Sequence, residues 1–272
     1  MNIGIVPNPK RDEALQLCSK VVDKALELNM TPYVPQKYAE YAPNAVLCGF
    51  DTLYDKADVV IAIGGDGTII RCVQIAATLN KPILGINAGR IGYLASLEPD
   101  NLDDLVKLRD GNYTVEQRMI LKVEYNGIPY YALNDFVISR GSRSKLIDLN
   151  VDINGHNVSY RADGIIISTP TGSTAYSLAA GGPVLEPEIN NMVISPICPQ
   201  SLFSRSLVLD GNSKISVTCV NNNAESYMSV DGREPVLIDP QKQISISCAE
   251  YCAKIINITN LSFYDVLSKK LR

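Results

Sequence analysis

Histidine is almost absent from this chain, which has one, His156, among its 272 residues. A single imidazole all but excludes a histidine-based catalytic triad and a histidine-ligated zinc site. His156 follows Asn154-Gly155, a dipeptide typical of hairpin turns, so we interpret it as an exposed turn residue. The chemistry of this protein must therefore come from other side chains.

Paired cysteine motifs are also missing. The seven cysteines are scattered through the chain, and no two of them have Cys-x-x-Cys spacing. Several fall on apolar faces, so we predict reduced residues of hydrophobic cores rather than disulfide partners or metal ligands. The seven are Cys18, Cys48, Cys72, Cys198, Cys219, Cys248 and Cys252.

Long basic runs and long hydrophobic runs are lacking too. The net charge of −4 gives no electrostatic support for binding nucleic acid or an anionic membrane surface. No long basic run occurs, and the chain end has only the short pair Lys269-Lys270. The N-terminus begins directly with a strand pattern, without the charged and apolar regions of a signal peptide. We therefore expect a cytoplasmic protein with no membrane-spanning segment.

The composition is that of a globular protein, with 46% hydrophobic and 20% charged residues, and the length suits two modest domains. Over residues 1–116, strand and helix patterns alternate, which predicts a Rossmann-like α/β domain with a parallel sheet. The predicted elements are a strand over Ile3–Val6, a helix from Ala14 to Leu28, a strand over Val59–Ile63, a helix over Ile69–Leu79, a strand over Ile83–Ile86 and a short helix over Leu102–Leu108.

The pattern changes at Gln117 to short β-branched runs separated by turn dipeptides such as Asn126-Gly127 and Asp231-Gly232. We predict a second, all-β, sandwich-like domain over residues 117–250. The tail over residues 251–272 is expected to return to the first domain, with a helix over Phe263–Leu271 packing on it. The strand runs are Leu121–Tyr125, Phe136–Ser139, Leu149–Ile153, Gly164–Ser168, Ile215–Val220 and Ile244–Ser247.

One apolar strand ends in a glycine-rich loop, Gly64-Gly65-Asp66-Gly67-Thr68, and a helical pattern follows. Glycines at such a junction let backbone N–H groups approach a phosphate, with a helix N-terminus behind them. The loop lacks the Lys and hydroxyl residue of a Walker loop and does not match the GxGxxG dinucleotide motif. We predict that Gly64, Gly65, Gly67 and Thr68 form a phosphate-binding loop.

Asp66 is the distinctive member of this loop. A carboxylate beside a phosphate is unfavourable unless a cation or a reacting proton accompanies it, which points to phosphoryl transfer. The alternative is structural: Asp66 caps the helix that follows.

A second chemical motif lies between Arg161 and Pro183, where an apolar strand leads into Ser168-Thr169-Pro170-Thr171-Gly172-Ser173-Thr174-Ala175-Tyr176. Small and hydroxylated side chains let a planar base come close to the backbone, and Tyr176 adds an aromatic ring. The alternative is a polar connection that binds no ligand.

These motifs together resemble the NAD kinase family. The residues that carry the resemblance occur in the family's order over nearly the whole chain: Gly64–Thr68, Asn134-Asp135, Asp163–Tyr176 and Ser229-Val230-Asp231-Gly232. The glycine loop alone is weakly specific, since it also resembles that of lipid kinases of the diacylglycerol-kinase type and of phosphofructokinases. The Ser168–Tyr176 block is the specific part.

The resemblance implies transfer of the terminal phosphoryl group of ATP, or of polyphosphate, to the 2′-hydroxyl of the adenosine ribose of NAD. Asp66 would take the proton from that hydroxyl as general base. Gly65 and Gly67 would approach the phosphates through their N–H groups, and Arg71 would neutralise charge, unless it is an ordinary surface residue of the helix.

Residues of the β-rich domain would hold NAD. Asn134 and Asp135 would bind the ribose or the adenine edge; the family's usual residue after Asn is Glu, so the shorter Asp135 implies a weaker or water-bridged contact. Thr174, Ala175 and Tyr176 would line the adenine pocket. Other NAD-binding residues implied by the resemblance are Asp66, Gly67, Arg71, Lys145, Arg161, Asp163, Ser177, Leu178 and Ala179.

Some of these assignments have structural alternatives. Arg161 and Asp163 would reach the other half of NAD, with Asp163 serving a neighbouring subunit, or they form a salt bridge with each other. Lys145 follows Arg140-Gly141-Ser142-Arg143 and either contacts phosphate or belongs to a solvated loop. The turn Asn87–Leu94, with Arg90 and Ile91, resembles a second glycine-rich turn of the family, in which Tyr93 covers the ligand or packs in the core.

The resemblance further implies a divalent cation, Mg²⁺ or Mn²⁺, ATP as donor, and a homodimer or homotetramer, with no nucleic-acid or membrane partner. Two alternatives remain open. A lipid kinase would need an acyl slot and a means of meeting a membrane, and no basic amphipathic helix is evident. A non-catalytic NAD(P)-binding sensor would gain nothing from a carboxylate at the position of Asp66.

Overall fold

The computed structural model describes residues 1–89, 92–142, 145–201, 204–220, 225–259 and 261–270. Four residues named above, Arg90, Ile91, Arg143 and Leu271, lie outside these ranges. By internal contacts the chain divides into two compact units, which are described separately below. Unit 1 comprises residues 1–117 and 252–272, and unit 2 comprises residues 118–251.

Six α-helices are present in the described chain: α1 Asp12–Glu27, α2 Phe50–Lys56, α3 Asp66–Ala76, α4 Leu105–Asp110, α5 Tyr176–Ala179 and α6 Phe263–Lys270. The strands of unit 1 are β1 Asn2–Pro7, β2 Thr31–Pro35, β3 Val46–Cys48, β4 Val59–Gly64, β5 Ile83–Asn87, β6 Thr114–Arg118 and, near the chain end, β19 Ala253–Asn257. Those of unit 2 are β7 Leu121–Tyr125, β8 Ile128–Ala132, β9 Asp135–Arg140, β10 Ile147–Ile153, β11 His156–Ala162, β12 Gly164–Ser168, β13 Asn191–Ile197, β14 Leu207–Asp210, β15 Ile215–Cys219, β16 Ser226–Val230, β17 Val236–Ile238 and β18 Gln243–Cys248.

Unit 1 is built on a seven-stranded sheet in the order β3-β2-β1-β4-β5-β19-β6. The pairs from β3 through β19 are parallel. The direction of the strand order reverses beside β1, because the chain passes outward to β2 and β3 and then returns to β4 on the other side. In open parallel sheets, ligands bind at the carboxyl ends of the strands at such a reversal.

The core of unit 1 explains why this sheet forms. Every residue of β4 is buried, as a strand covered on both faces requires. Ile61 and Ile63 pack with Ile3 and Ile5 of β1 and with the apolar face of α1. Full burial of one such isoleucine stabilises the fold by about 1.5–3 kcal/mol. The predicted α/β class of the first domain is confirmed.

Unit 2 consists of two six-stranded sheets, β11-β10-β15-β18-β7-β8 and β14-β13-β12-β9-β16-β17. The pairs within them are antiparallel. One core joins inward-facing residues of both sheets, including Leu121, Phe136, Val151 and Ile165. The predicted sandwich is therefore confirmed. Unit 2 also contains the short helix α5.

Three of the predicted turns have left-handed backbone at both central residues. The φ angles are 52° and 74° at Asn126-Gly127, 53° and 88° at Asn154-Gly155, and 50° and 65° at Asp231-Gly232. Asn, Asp and Gly tolerate this conformation, which two-residue hairpins with the right-handed strand twist require. His156 is exposed directly after the second of these turns, as predicted.

Some predictions need correction. The helix predicted over Ile69–Leu79 runs from Asp66 to Ala76, because the helix begins at once after Gly65 and Asn80 adopts a left-handed φ of 57°. Cys198 is exposed, so the assignment of all seven cysteines to cores is wrong; Cys18, Cys72 and Cys219 are buried. The short helix predicted over Leu102–Leu108 is a 3-10 turn followed by α4, which ends at Gly111 with φ 71°.

The C-terminal tail adds both a strand and a helix to unit 1. β19 pairs in parallel with β5 through Ile255 and Ile83. Helix α6 begins with a reciprocal cap, in which the Ser262 N–H donates to the Asp265 carboxylate at 2.9 Å and the Asp265 N–H donates to the Ser262 hydroxyl at 3.2 Å. At its other end the Lys270 ammonium lies 4.5 Å from the ring centre of Tyr93.

Candidate active site

The glycine loop lies at the strand-order reversal of unit 1. Gly64 ends β4, next to the end of β1, where the Asn8 N–H donates to the Ile63 carbonyl at 2.9 Å. Helix α3 begins two residues later at Asp66, so its free N–H groups face the same edge of the sheet. This is the position at which phosphate-binding loops of parallel sheets occur.

The Asp66 carboxylate is bound by a separate loop. It accepts hydrogen bonds from the N–H of Tyr93 at 2.9 Å and the N–H of Leu94 at 3.1 Å, and the side chain is half-buried. Helix α3 has no side-chain cap at its N-terminus. The carboxylate therefore joins the loop after β4 to the loop after β5. The alternative prediction, that Asp66 caps its own helix, is wrong.

The glycines around Asp66 differ in how much space a side chain would have at each position. A Cβ atom at Gly92 would lie 2.0 Å from Asp66 Oδ1, and one at Gly64 would lie 2.4 Å from the Thr68 hydroxyl, so the fold itself requires glycine at both positions. At Gly65 and Gly67, a Cβ atom would meet nothing within 4 Å. Packing of the described chain does not explain these two glycines, whereas the approach of a ligand to the backbone would.

Two guanidinium groups lie at this edge of unit 1. Arg71 is exposed on α3, with Nη2 3.4 Å from the Thr68 hydroxyl. Arg11, at the start of α1, donates from Nη1 to the Ala88 carbonyl at 2.8 Å and covers Gly89. Sequence reasoning missed Arg11; the available signal was a basic residue shortly after β1, the strand at which the sheet order reverses.

In unit 2, Asn134 and Asp135 lie where β8 passes into β9, and the Ser168–Tyr176 block packs directly on them. The Thr169 hydroxyl donates to the Leu133 carbonyl at 2.5 Å, and the Thr169 N–H donates to the Asn134 carbonyl at 2.9 Å. A Cβ atom at Gly172 would lie 1.9 Å from the same Asn134 oxygen. Two motifs that are 34 residues apart in sequence are thus one structural unit.

Asp135 is a buried carboxyl group, only 5% exposed. Burial and, after it, the negative charge of Asp231 together raise the pKa of Asp135 to about 7, although a hydrogen bond from the Tyr176 N–H opposes the rise. Near neutral pH this group therefore exchanges between an acceptor-only carboxylate and a carboxylic acid that also donates.

The residues predicted to line an adenine pocket follow at the end of the block. Tyr176 is 46% exposed, and Thr174 and Ala175 are half-buried. Ser177 is fully buried and its hydroxyl is paired with that of Ser195 at 3.0 Å, so its side chain is already engaged. Leu178 is half-buried, and Ala179 is exposed.

The ion pair between Arg161 and Asp163, the structural alternative to their binding NAD, does not form. Asp163 is bound to Arg140 at 2.5 Å, and Arg161 lies 3.5 Å from Asp148 on the adjacent strand β10. Arg161 lies on β11 directly opposite Asp148 of β10, whereas Asp163 lies between β11 and β12, where its carbonyl accepts the N–H of Arg140 of β9 at 2.9 Å. Lys145 is exposed.

Within the described residues, no three His, Cys, Asp or Glu side chains cluster closely enough to hold a metal ion. In the same part of the chain, no helix has both the length and the apolar character needed to cross a lipid bilayer.

The raised pKa of Asp135 predicts a pH effect on stability. The folded state binds this proton more tightly than the unfolded chain, so the stabilisation is complete below about pH 4 and is lost as the pH rises through about 7. Asp135→Asn removes the titration, and we expect its melting temperature, relative to the unsubstituted protein, to be higher at pH 8 than at pH 5. Thermal unfolding of both proteins at the two pH values measures this; parallel shifts at both would contradict it.

Comparison with known proteins identifies the family. Residues 3–109 match the ATP-NAD kinase N-terminal domain, and residues 133–258 match the ATP-NAD kinase C-terminal domain. The NAD kinase of Thermoanaerobacter sp. (strain X514) is 36% identical over 282 aligned residues, covering 99% of this chain and 98% of that protein.

Two solved structures resemble the fold. An NAD kinase from Archaeoglobus fulgidus in complex with ATP matches with a TM-score of 0.77 and 27% identity, covering 98% of this chain and 99% of that one. Yeast NADH kinase complexed with NADH matches in fold with a TM-score of 0.90 at 23% identity, covering 100% and 87%. The chain belongs to the NAD kinase family.

Proposed function

We propose that this protein is an NAD kinase, which transfers the terminal phosphoryl group of ATP to the 2′-hydroxyl of the adenosine ribose of NAD and forms NADP. The observation that carries the proposal is the Asp66 carboxylate, which lies in the glycine loop at the strand-order reversal. It accepts hydrogen bonds from the N–H groups of Tyr93 and Leu94. The matched family models and relatives support the same activity. They give no support to the lipid-kinase alternative.

Asp66 is suited to act as the general base. Its two oxygens offer about four acceptor positions, and the N–H groups of Tyr93 and Leu94 use two of them. These bonds orient the carboxylate and leave acceptor positions for the ribose hydroxyl. As the 2′-oxygen forms a bond to the terminal phosphorus, the proton passes to Asp66 and the bond to the ADP oxygen breaks.

Phosphate groups would be held by the backbone N–H groups of the Gly64–Thr68 loop, which has open space beside Gly65 and Gly67. We assign Arg71 and Arg11 to charge neutralisation there, since both guanidinium groups lie beside this loop or the one after β5.

The adenosine half of NAD would be bound by Asn134 and Asp135, with Thr174, Ala175 and Tyr176 beside them. Among the described residues, none pairs with the Asn134 side-chain amide, which is half-buried and thus available to a ligand. We assign Arg161, Asp163 and Lys145 to the remaining part of NAD. Because the Arg140 guanidinium is paired with Oδ1 of Asp163, the contact of Asp163 with NAD would be made by Oδ2.

A divalent cation, Mg²⁺ or Mn²⁺, would supply charge neutralisation for the ATP phosphates. The described residues hold no preformed cluster of three metal-binding side chains, whereas Mg²⁺ in phosphoryl-transfer enzymes is commonly held by substrate phosphates, waters and one or two carboxylates. This fits a cation that arrives bound to ATP better than a resident metal centre.

We also propose a cytoplasmic location and a homodimer or homotetramer. Seven free thiols suit a reducing compartment. The edge strand β17 exposes Val236 and Leu237, at 37% and 54%, which supports a contact between copies. Light scattering after size-exclusion chromatography measures the assembly directly.

The activity and its base are tested together. Purified protein with NAD, ATP and Mg²⁺ is expected to form NADP, detected with an NADP-specific dehydrogenase. Asp66→Asn removes the proton acceptor and is expected to lower the rate by roughly 10²- to 10⁴-fold while NAD affinity is largely kept.

The matched control for this variant is Asp51→Asn, which changes an exposed aspartate in the first turn of α2 and is expected to retain full activity. Absence of NADP despite NAD binding would refute the kinase assignment. An Asp66→Asn rate equal to that of the control would remove Asp66 from the role of base.

Gly67→Ala provides a test in which stability and activity change in opposite directions. Gly67 lies in the first turn of α3 with open space around it, so alanine is expected to stabilise the helix by about 0.5–1 kcal/mol. If the loop binds phosphate, the added methyl group hinders the approach and raises the KM for ATP. Melting temperature and ATP kinetics are the measurements, and an unchanged KM would argue against a phosphate loop.

A further inference from the structure

Asp231 binds the backbone of the turn that carries Asn134 and Asp135. Its Oδ1 accepts the Asn134 N–H at 2.8 Å and the Asp135 N–H at 3.2 Å, and its Oδ2 accepts the Leu133 N–H at 2.9 Å. Leu133 and Asn134 lie between β8 and β9 and are outside both strands. One carboxylate thus satisfies three consecutive N–H groups that are about 97 residues away in sequence.

The opposite side of the same turn is also fixed. Thr169 binds the carbonyl oxygens of Leu133 and Asn134 through its hydroxyl and its N–H. The Asp231 N–H in turn donates to the Asp135 carbonyl at 3.0 Å. The backbone of residues 133–135 is therefore held from two directions, and the position of the Asn134 and Asp135 side chains depends on both.

Position 231 must meet two requirements, one of the turn conformation and one of the hydrogen bonds, and a comparison of Asp with Asn separates them. The turn at Asp231-Gly232 needs a left-handed residue, and Asn meets that need as well as Asp does. Acceptance of three N–H bonds by two oxygens needs a carboxylate, because the amide of Asn has one oxygen and would set its NH₂ group against a donor. Bonds from backbone N–H groups to an ionised carboxylate are about twice as strong as neutral ones.

We propose that Asp231 is a positioning residue for NAD binding, which acts by fixing the backbone that carries Asn134 and Asp135. This inference rests on the proposed function, in which those two side chains hold the adenosine half of NAD. Asp231 acts on NAD through the turn, so its loss weakens the binding of NAD equally in the ground state and the transition state.

Asp231→Asn tests the inference because it keeps the left-handed turn and the side-chain volume. We expect the KM for NAD to rise about tenfold, with kcat and the KM for ATP within about twofold of the unsubstituted enzyme. A purely structural role would shift the melting temperature and both KM values together, or leave the KM for NAD unchanged; either result overturns the proposal.

The matched control is Asp210→Asn, at a second Asp-Gly turn of unit 2, where the carboxylate accepts local bonds from Asn212, from its N–H at 2.8 Å and its side-chain amide at 3.0 Å. It is expected to leave both KM values unchanged. If Asp231→Asn does not fold, Asp231→Glu retains both oxygens on a longer chain, and a smaller but selective rise in the KM for NAD is expected.

Amide hydrogen exchange of the unsubstituted protein gives a readout that needs no variant. The N–H groups of Leu133 and Asn134 should be protected although they lie outside the strands, and rapid exchange at both would overturn the proposal. Failure of the proposed function is recognised separately, because the unsubstituted protein would then form no NADP. Failure of this inference would leave NADP formation intact.

Discussion

A carboxylate that accepts hydrogen bonds from the backbone N–H groups of a distant turn is the interaction on which both candidate sites depend. In unit 1, Asp66 binds the turn at Tyr93 and Leu94. In unit 2, Asp231 binds the turn from Leu133 to Asp135. In each case a short side chain joins two loops that the strands bring to one edge, and the joined loops carry the residues with proposed chemical roles.

The carboxylates of Asp66 and Asp231 support different chemical roles. Asp66 is half-buried, with acceptor positions to spare, as a base needs. Burial, and after it the negative charge of Asp231, raises the pKa of Asp135 to about 7, so that this group has access to both a donating and an accepting form near neutral pH. A group with both forms can match either edge atom of an adenine or a ribose hydroxyl, which suits a binding residue more than a catalytic one.

Much of the fold follows from local patterns. The continuous apolar run that becomes β4 predicts a buried parallel strand, and its burial on both faces confirms the prediction. The dipeptides Asn126-Gly127, Asn154-Gly155 and Asp231-Gly232 predict hairpin turns, and their left-handed φ angles agree with this. Helix α3 begins three residues before the predicted start at Ile69, because Gly65 already provides the non-helical residue before the helix.

The geometry of the candidate sites is harder to predict from the sequence, because it depends on hydrogen bonds and ion pairs between residues far apart in the chain. The spacing of Arg161 and Asp163 suggested an ion pair, but each has a partner on a neighbouring strand. The composition of the Asp231-Gly232 turn indicates a hairpin and contains no sign that its carboxylate reaches residues 133–135. Arg11 and Gly92 likewise acquire a role only through the packing of loops after β1, β4 and β5.

The transfer of phosphate from ATP to NAD can be followed by ³¹P NMR of a reaction containing the protein, NAD, ATP and Mg²⁺. We expect the γ-phosphate signal of ATP to disappear as a phosphomonoester signal at the 2′ position of the adenosine ribose grows in equal amount. Conversion of ATP to ADP and inorganic phosphate with NAD unchanged, or a phosphomonoester at another position of NAD, would contradict this expectation.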